Sequence, residues 1–407
     1  MIEKTGRFWV KNMSWEYVSF IEAVDILDNV RKPINSKERA SRIEGKSTDE
    51  LYPYYGATGQ VGYIDSYLSD GEYVLLGEDG APFLNPLAKK AYIINGKAWV
   101  NNHAHILRSK TNNHFLCYYL NYIDYKGLVS GTTRLKLTQS QMKQIKIPVP
   151  PIQEQKRIVA RIEKLFSNLD SAVETLQKTK QQLEVYRQAV LRKAFSEFDS
   201  NTYIILNNII EKPRYGTSKK CTYDQTDNSI SVYRIPNIDY RLGCIDTTDL
   251  KYADFTNEEL KKIDLQTNDL LMIRSNGSVS LVGRTAIVSQ ANNNDTFAGY
   301  LIRLRFINPS IYRAKFLHYY LQSHNARIYI ENVAKSTSGV NNINSDEISK
   351  IPIPWGDDDR IKHVVCNIDR YLSISNNICN TVDEALHQAE AMRQSILKQA
   401  FEGDSFL

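Results

Sequence analysis

His103 and His105 alternate along Val100-Asn-Asn-His-Ala-His-Ile-Leu, a strand-like segment on which every second residue shares a face. Such a pair can hold a metal or serve as hydrogen-bonded polar residues, and no carboxylate or cysteine at ligand spacing accompanies it. Gly45-Lys46-Ser47 has the form of a phosphate-loop tail, but Ala40 stands where the first glycine belongs and no strand leads in. Asn85-Pro86 and Asn308-Pro309 begin like the tetrad that grips a target amino group in amino-methyltransferases, yet Leu87 and Ser310 follow them. Glu44-x-Lys46 and Glu259-x-Lys261 are nuclease-like pairs without an upstream Pro-Asp on a strand. No Ser/His/Asp or Cys/His pattern stands out. The five cysteines, Cys117, Cys221, Cys244, Cys366 and Cys379, never form a C-x-x-C pair and suit free thiols in a reducing compartment. These residues describe recognition surfaces without a catalytic engine.

The surfaces are loops rich in cations, hydroxyls and amides. Asp28–Lys46 carries Arg31, Lys32, Lys37, Arg39, Arg42 and Lys46 and reads as a basic loop or short helix. Tyr52-Pro-Tyr-Tyr-Gly-Ala-Thr-Gly-Gln-Val-Gly-Tyr reads as a turn-rich surface element. Ser130-Gly-Thr-Thr-Arg-Leu-Lys is a flexible basic loop, and Pro213-Arg-Tyr-Gly-Thr-Ser-Lys-Lys is a glycine-hinged one. Arg274-Ser-Asn-Gly-Ser-Val follows a strand and reads either as a simple hairpin turn or as a recognition turn.

Two long helices must position these loops. After Pro148, Pro150 and Pro151, which no upstream helix can cross, mostly apolar residues recur in a 4,3 alternation at Ile158, Ile162, Leu165, Leu169, Ala172, Leu176, Thr179, Leu183, Tyr186 and Val190. An offset of 206 residues brings Ile162-Glu-Lys onto Ile368-Asp-Arg and Glu184-x-x-Arg187-Gln188 onto Glu390-x-x-Arg393-Gln394. The second stripe is then Val364, Ile368, Tyr371, Ser375, Ile378, Val382, Ala385, Ala389, Met392 and Ile396. Upstream, Phe115-Leu-x-Tyr-Tyr-Leu recurs as Phe316-Leu-x-Tyr-Tyr-Leu, Ser130-Gly131 as Ser338-Gly339, and Ile147-Pro-Val-Pro as Ile351-Pro-Ile-Pro. The pattern is a tandem repeat of a compact α+β domain, each followed by a helical arm. Because the joint Glu197–Thr202 is short, the second helix must return along the first, giving two pseudo-repeated α+β domains separated by two long antiparallel coiled-coil helices. The boundaries are domain 1 over 1–147, spacer helix 1 over 148–199, domain 2 over 200–351 and spacer helix 2 over 352–407.

Within each domain, strands are predicted at Tyr73–Leu76, Ala91–Ile94, Ala98–Val100, Ser231–Ile235, Asp269–Arg274 and Tyr300–Arg305, and a helix at Phe115–Ile123; Met1–Ser14 reads as a loose extension. With 42% apolar and 24% charged residues over 407 positions, there is material for two cores. Net charge is +5, distributed as +4 over 1–150, +2 over 151–199, +3 over 200–354 and −4 over 355–407, so the globular parts are mildly basic. The start has no apolar signal core and no apolar run approaches membrane length, so a cytoplasmic protein is expected.

The order of motifs resembles the specificity subunit of type I restriction-modification enzymes. It runs from a first domain through Ile147-Pro-Val-Pro-Pro-Ile-Gln-Glu-Gln to a helix ending Leu-Arg-Lys-Ala-Phe, then Tyr215-Gly-Thr-Ser-Lys-Lys, Leu270-Leu-Met-Ile-Arg-Ser-Asn-Gly-Ser and a second helix. The resemblance implies two target-recognition domains, each reading one half of a bipartite asymmetric site on double-stranded DNA. It implies that the helices dock two methyltransferase (modification) subunits, with restriction/translocase subunits in the full complex. It also implies a non-catalytic chain that binds no cofactor itself, S-adenosylmethionine, ATP and Mg²⁺ belonging to the partner subunits. On this reading the DNA surface comprises Lys37, Arg39, Arg42, Lys46, Thr132, Arg134, Lys136, Arg214, Tyr215, Thr217, Ser218, Lys219, Arg274, Ser275, Asn276, Ser278, Asn341 and Asn342. Subunit docking falls to Gln153, Glu154, Gln155, Arg187, Gln188, Arg393 and Gln394. The second junction departs from the first, since Pro354-Trp-Gly-Asp-Asp-Asp lacks the second proline and the Glu-Gln pair. Two other classes stay open: a helical adaptor with no nucleic-acid role, and a self-contained modification enzyme.

Overall fold

Two straps tie the ends of the globular segments together. Tyr17–Ser19 pairs antiparallel with Lys146–Pro148, and Tyr203–Ile205 pairs antiparallel with Pro352–Pro354. In each strap a strand that opens a globular segment meets one that closes it, and a long helix follows, Ile152–Ser196 after the first and Asp358–Glu402 after the second. Each helix has 45 residues. The computed structural model describes residues 15–226, 229–289, 295–337 and 339–402. The extension Met1–Ser14 and the loop residue Ser338 lie outside the described residues. The fold is α+β and divides into two compact units, residues 1–177 with 383–407, and residues 178–382.

In unit 1 an antiparallel sheet has the order Val24–Ile26, Ala104–Ser109, Tyr73–Gly77, Ala91–Ile94. Its central strand is buried from end to end, as its run of apolar residues requires. A second sheet joins Gln60–Ile64, Tyr52–Tyr55, Lys97–Val100 and Ser69–Asp70. The tyrosine- and glycine-rich stretch is therefore a hairpin with Tyr54 buried, rather than surface turn alone. The helix Asn113–Tyr122, capped by the Asn112 side chain on the Phe115 amide, lays Phe115, Leu116, Tyr119 and Leu120 on this core. The same core takes Ile158 and Ile162 from the first long helix and Leu397, Ala400 and Phe401 from the second.

Unit 2 is built around a six-stranded sheet of order Arg214–Tyr215, Leu301–Leu304, Leu270–Ile273, Thr285–Ile287, Cys244–Ile245, Ile238–Asp239. Helix Ile311–Gln322 covers it with Phe316, Leu317, Tyr320 and Leu321. Leu191 and Phe195 from the first long helix join Ile361, Val364, Val365, Ile368 and Leu372 from the second in this core. Gly216 passes so close to the sheet that a Cβ there would lie 2.2 Å from the Phe297 carbonyl oxygen and 2.5 Å from that of Ala298. Gly216→Ala is therefore expected to destabilise unit 2 by about 1–3 kcal/mol, read by urea denaturation against Gly277→Ala, where nothing lies within 4 Å of the added methyl. Equal stability of the two variants would mean the strand yields without cost.

The stripes on the long helices differ from the strict 4,3 pattern. Tyr186, Tyr371, Ile378 and Met392 are 43–54% exposed and Ala172 is exposed, whereas Arg187, Leu372 and Leu397 are buried in their place. A helix with 3.6 residues per turn drifts by about 20° per heptad against a strict 3.5 repeat, so one face cannot stay buried in the original register.

Candidate functional site

The singled-out cations of unit 1 fall in two places. Lys37, Arg39 and Arg42 stand on the helix Ser36–Ile43, whose start is capped by Asn35. Arg39 lies 4.8 Å over the Tyr54 ring and donates through Nη1 to the Val61 carbonyl at 3.3 Å. Gly62 leaves the room for it, since a Cβ there would sit 2.7 Å from that nitrogen at a φ of +152°. Arg42 lies 4.9 Å over Trp99 and pairs with Asp65 at 2.5 Å, and Lys46 reaches the same carboxylate at 3.2 Å. The hydrogen bond from Arg42 and the charge of both cations hold Asp65 below the usual carboxylate range.

Thr132, Arg134 and Lys136 belong to a turn closed by reciprocal backbone hydrogen bonds between Ser130 and Lys136 at 3.0 and 2.8 Å. The turn demands glycine at 131, where φ is +98° and a Cβ would lie 2.4 Å from the Arg134 carbonyl oxygen. Thr132 is exposed, Arg134 pairs with Asp79 at 2.6 Å, and Lys136 with Glu78 at 3.5 Å. Among the described residues, no hydrogen bond, ion pair or ring contact joins this turn to the helix Ser36–Ile43.

The two histidines do not share a face. The strand begins at Ala104, leaving His103 in the preceding turn 3.5 Å from Asp79, while His105 is buried. Chain folding also brings carboxylates that sequence spacing does not reveal. His105 Nδ1 lies 2.7 Å from Asp28, and Asp28, Glu78 and His105 form a three-residue cluster of the kind that could hold a metal. The donor set does not fit one, because Arg31 already sits between the carboxylates at 3.1 and 2.6 Å and His105 Nε2 meets the Leu137 carbonyl at 3.0 Å. Burial pushes the Asp28 pKa up, but the contact with His105, the Ile106 amide and Arg31 outweigh it and hold the group ionised. The cluster fastens the strand to the turn at Glu78.

Unit 2 gathers its residues more tightly. The turn after Ile273 is not a simple hairpin: Ser275–Asn276 pairs with Val340–Asn342, placing Ser275 opposite Asn342 and Asn276 opposite Asn341. Asn341 Nδ2 donates to the Gly277 carbonyl at 3.0 Å, and Asn276 Oδ1 accepts from the Ser278 amide at 2.8 Å. Arg274 lies 4.8 Å over the Tyr215 ring, whose hydroxyl accepts from the Ser345 amide at 2.9 Å. Arg214 is exposed beside it, and Thr217 pairs with the backbone around Phe297 and Gly299. Ser218 and Lys219 are exposed, but Lys219 turns to Glu259 at 2.7 Å, lowering that carboxyl to about 2 through its hydrogen bond.

A division among the loop cations results. Arg42, Lys46, Arg134, Lys136 and Lys219 face carboxylates. Among the described residues, Lys37, Arg39, Arg214 and Arg274 do not.

Of the residues assigned to docking, Gln153 is exposed and Gln394 half-buried. Glu154 accepts from Trp15 Nε1 at 3.2 Å, Gln188 donates to the Gln322 carbonyl at 3.4 Å, and Arg393 pairs with Asp170 over the Phe166 ring. Gln155 and Arg187 turn inward instead. Gln155 donates to the Pro150 carbonyl at 2.8 Å and accepts from the Thr111 hydroxyl at 3.0 Å, so its side chain closes on the helix start. Arg187 donates to the Gln322 side chain at 3.0 Å and to the Arg241 carbonyl at 2.9 Å.

The sequence of residues 15–185 matches the family model described as the type I restriction modification DNA specificity domain. The chain as a whole resembles type I restriction enzyme specificity subunits. It is similar to a putative type I restriction enzyme specificity subunit of Haemophilus influenzae, 26% identical over 92% of each chain. It is also 26% identical to the EcoKI specificity subunit of Escherichia coli, over 68% of this chain and 61% of that one. In fold it is similar to a chain from a structural study of complex assembly and conformational transition in a type I R-M system, with a TM-score of 0.63 at 15% identity over 96% of this chain and 98% of that one. Among the described residues no helix is long and apolar enough to cross a membrane.

Proposed function

We propose that this chain selects the DNA sequence acted on by a type I restriction-modification complex, each unit's globular part reading one half of a bipartite asymmetric site. The two long helices act as the spacer between the readers and as the docking surface for two methyltransferase subunits. Catalysis, with S-adenosylmethionine, ATP and Mg²⁺, belongs to those subunits and to a restriction/translocase subunit. The observation that carries this reading is the polar platform of unit 2, where Arg274, Ser275, Asn276, Asn341 and Asn342 converge on a short strand pair beside Tyr215. Strands can present side chains to the major groove, where arginine suits guanine and asparagine suits adenine. The matching straps and equal helix lengths support a tandem repeat with one reader per unit. Apolar residues left outward on the helices, Val185, Tyr371, Ile374 and Ile378, support a partner there. Gln153, Glu154, Gln188, Arg393 and Gln394 stay with the docking proposal, while the buried side chains of Gln155 and Arg187 act from inside the chain.

The test is an exchange of residues 203–350, bounded by the short joint and the second strap, for the matching segment of a relative. In the assembled complex the modified DNA sequence should change in one half and keep the other. A folded hybrid that changes both halves would argue against independent readers.

A further inference from the structure

Arg274 is held by both its backbone and its side chain. Its amide donates to the Tyr300 carbonyl at 3.0 Å and its carbonyl accepts from the Ile343 amide at 2.9 Å, so the backbone is fixed from both sides. Its Nε donates to the Gly299 carbonyl at 2.9 Å and its guanidinium carbon lies 4.8 Å from the centre of the Tyr215 ring. Tyr215 is itself fixed, through strand pairing with Ile302 and the hydroxyl contact to Ser345. The two terminal nitrogens make no hydrogen bond among the described residues, and no carboxylate there pairs with the group. What is left is a two-pronged donor of set direction, next to the facing amides of Asn276 and Asn341.

A phosphate contact needs charge and little orientation, which a mobile lysine supplies as well. Two donors fixed in one plane suit a pair of acceptors at fixed separation. In the major groove guanine offers that pair, N7 and O6. We infer that Arg274 is a specificity-determining residue that reads one guanine in the half-site taken by unit 2, with Tyr215 as the ring that aims it. This rests on the DNA-recognition reading above.

The experiment uses the full chain assembled with its methyltransferase subunits, on duplexes carrying the site mapped by sequencing of modified bases. Each base pair is replaced in turn and binding measured at one salt concentration. In the wild-type complex one G·C pair of the half-site changed by the 203–350 exchange should be preferred by roughly 5- to 150-fold, the span of a good bidentate base contact. Arg274→Lys keeps the charge and loses the fork, so preference at that pair should vanish while all other positions, including the whole other half-site, keep theirs. Tyr215→Leu should weaken preference at the same pair. Retained preferences in the other half identify a folded variant. Loss of affinity equal on every sequence would make Arg274 a phosphate contact and overturn the assignment, as would an unchanged guanine preference in Arg274→Lys. A wild-type complex without any sequence preference would overturn the DNA-recognition reading itself.

Discussion

Acidification below pH 6.5 is expected to weaken unit 2 through His318. This residue is fully enclosed, with Nδ1 at 2.9 Å from the Thr285 hydroxyl and Nε2 at 2.6 Å from the Gln322 amide nitrogen. Because Arg187 donates to Gln322 Oε1, the amide must turn its NH₂ towards His318, and Nε2 must accept. A protonated ring would set donor against donor. Burial, with Arg187, Arg284 and Lys315 nearby, lowers the His318 pKa to about 3. An unfolded histidine titrates near 6.5, so above that pH both states are neutral and the full stability is present. Below it the unfolded chain takes up a proton that the folded one refuses until about pH 3, which costs about 1.4 kcal/mol per pH unit. Between pH 6.5 and 5, before most carboxylates titrate, this amounts to about 2 kcal/mol. Urea unfolding across this window, followed by hydrogen exchange in Ile311–Gln322, reads it. His318→Gln should flatten the slope, and equal slopes in both proteins would remove His318 as its source.

Phe401→Ala is expected to cost about 3–5 kcal/mol, enough to unfold a marginal unit 1. The ring is 7% exposed, with Phe115, Tyr119 and Tyr122 around it at centroid distances of 5.4, 5.3 and 5.2 Å. Removing it leaves a cavity that Leu397 and Ala400, fixed on the same helix, cannot collapse into. Met392→Ala, one-half exposed on that helix, should change stability by about 0.5 kcal/mol or less. Thermal unfolding of the two variants beside the wild type makes the comparison, and similar melting temperatures for both would mean the helix end does not complete the unit 1 core.

Much of the fold is legible in the sequence because its signals are local. The prolines at 148, 150 and 151 place the first long helix start, and Phe115-Leu-x-Tyr-Tyr-Leu names the face that its helix buries. The strands expected at Tyr73 and Asp269 are central and apolar, so their composition suffices. The site is less legible because charge pairing is long-range. Asp65 meets Arg42 and Lys46, and Glu259 meets Lys219 across 40 residues, so a basic loop in sequence becomes a neutralised one in space. Only folding separates Arg39 and Arg274, which rest on tyrosine rings, from those neighbours. The same holds for Gln155 and Arg187, which the resemblance assigns to docking and whose side chains bond to Pro150 and Gln322 of the same chain.

The division of the chain has a consequence for how it is made. Unit 2 is one continuous stretch, 178–382, whereas unit 1 needs residues 383 onward, and Leu397, Ala400 and Phe401 in particular. A ribosome adding about 5–20 residues per second needs roughly 10–40 s to pass the intervening segment. During that time Phe115, Tyr119 and their neighbours lack the helix that covers them, although they were synthesised first. Unit 1 therefore cannot complete its core until residues 397–401 have been made, whereas unit 2 has all of its residues by 382.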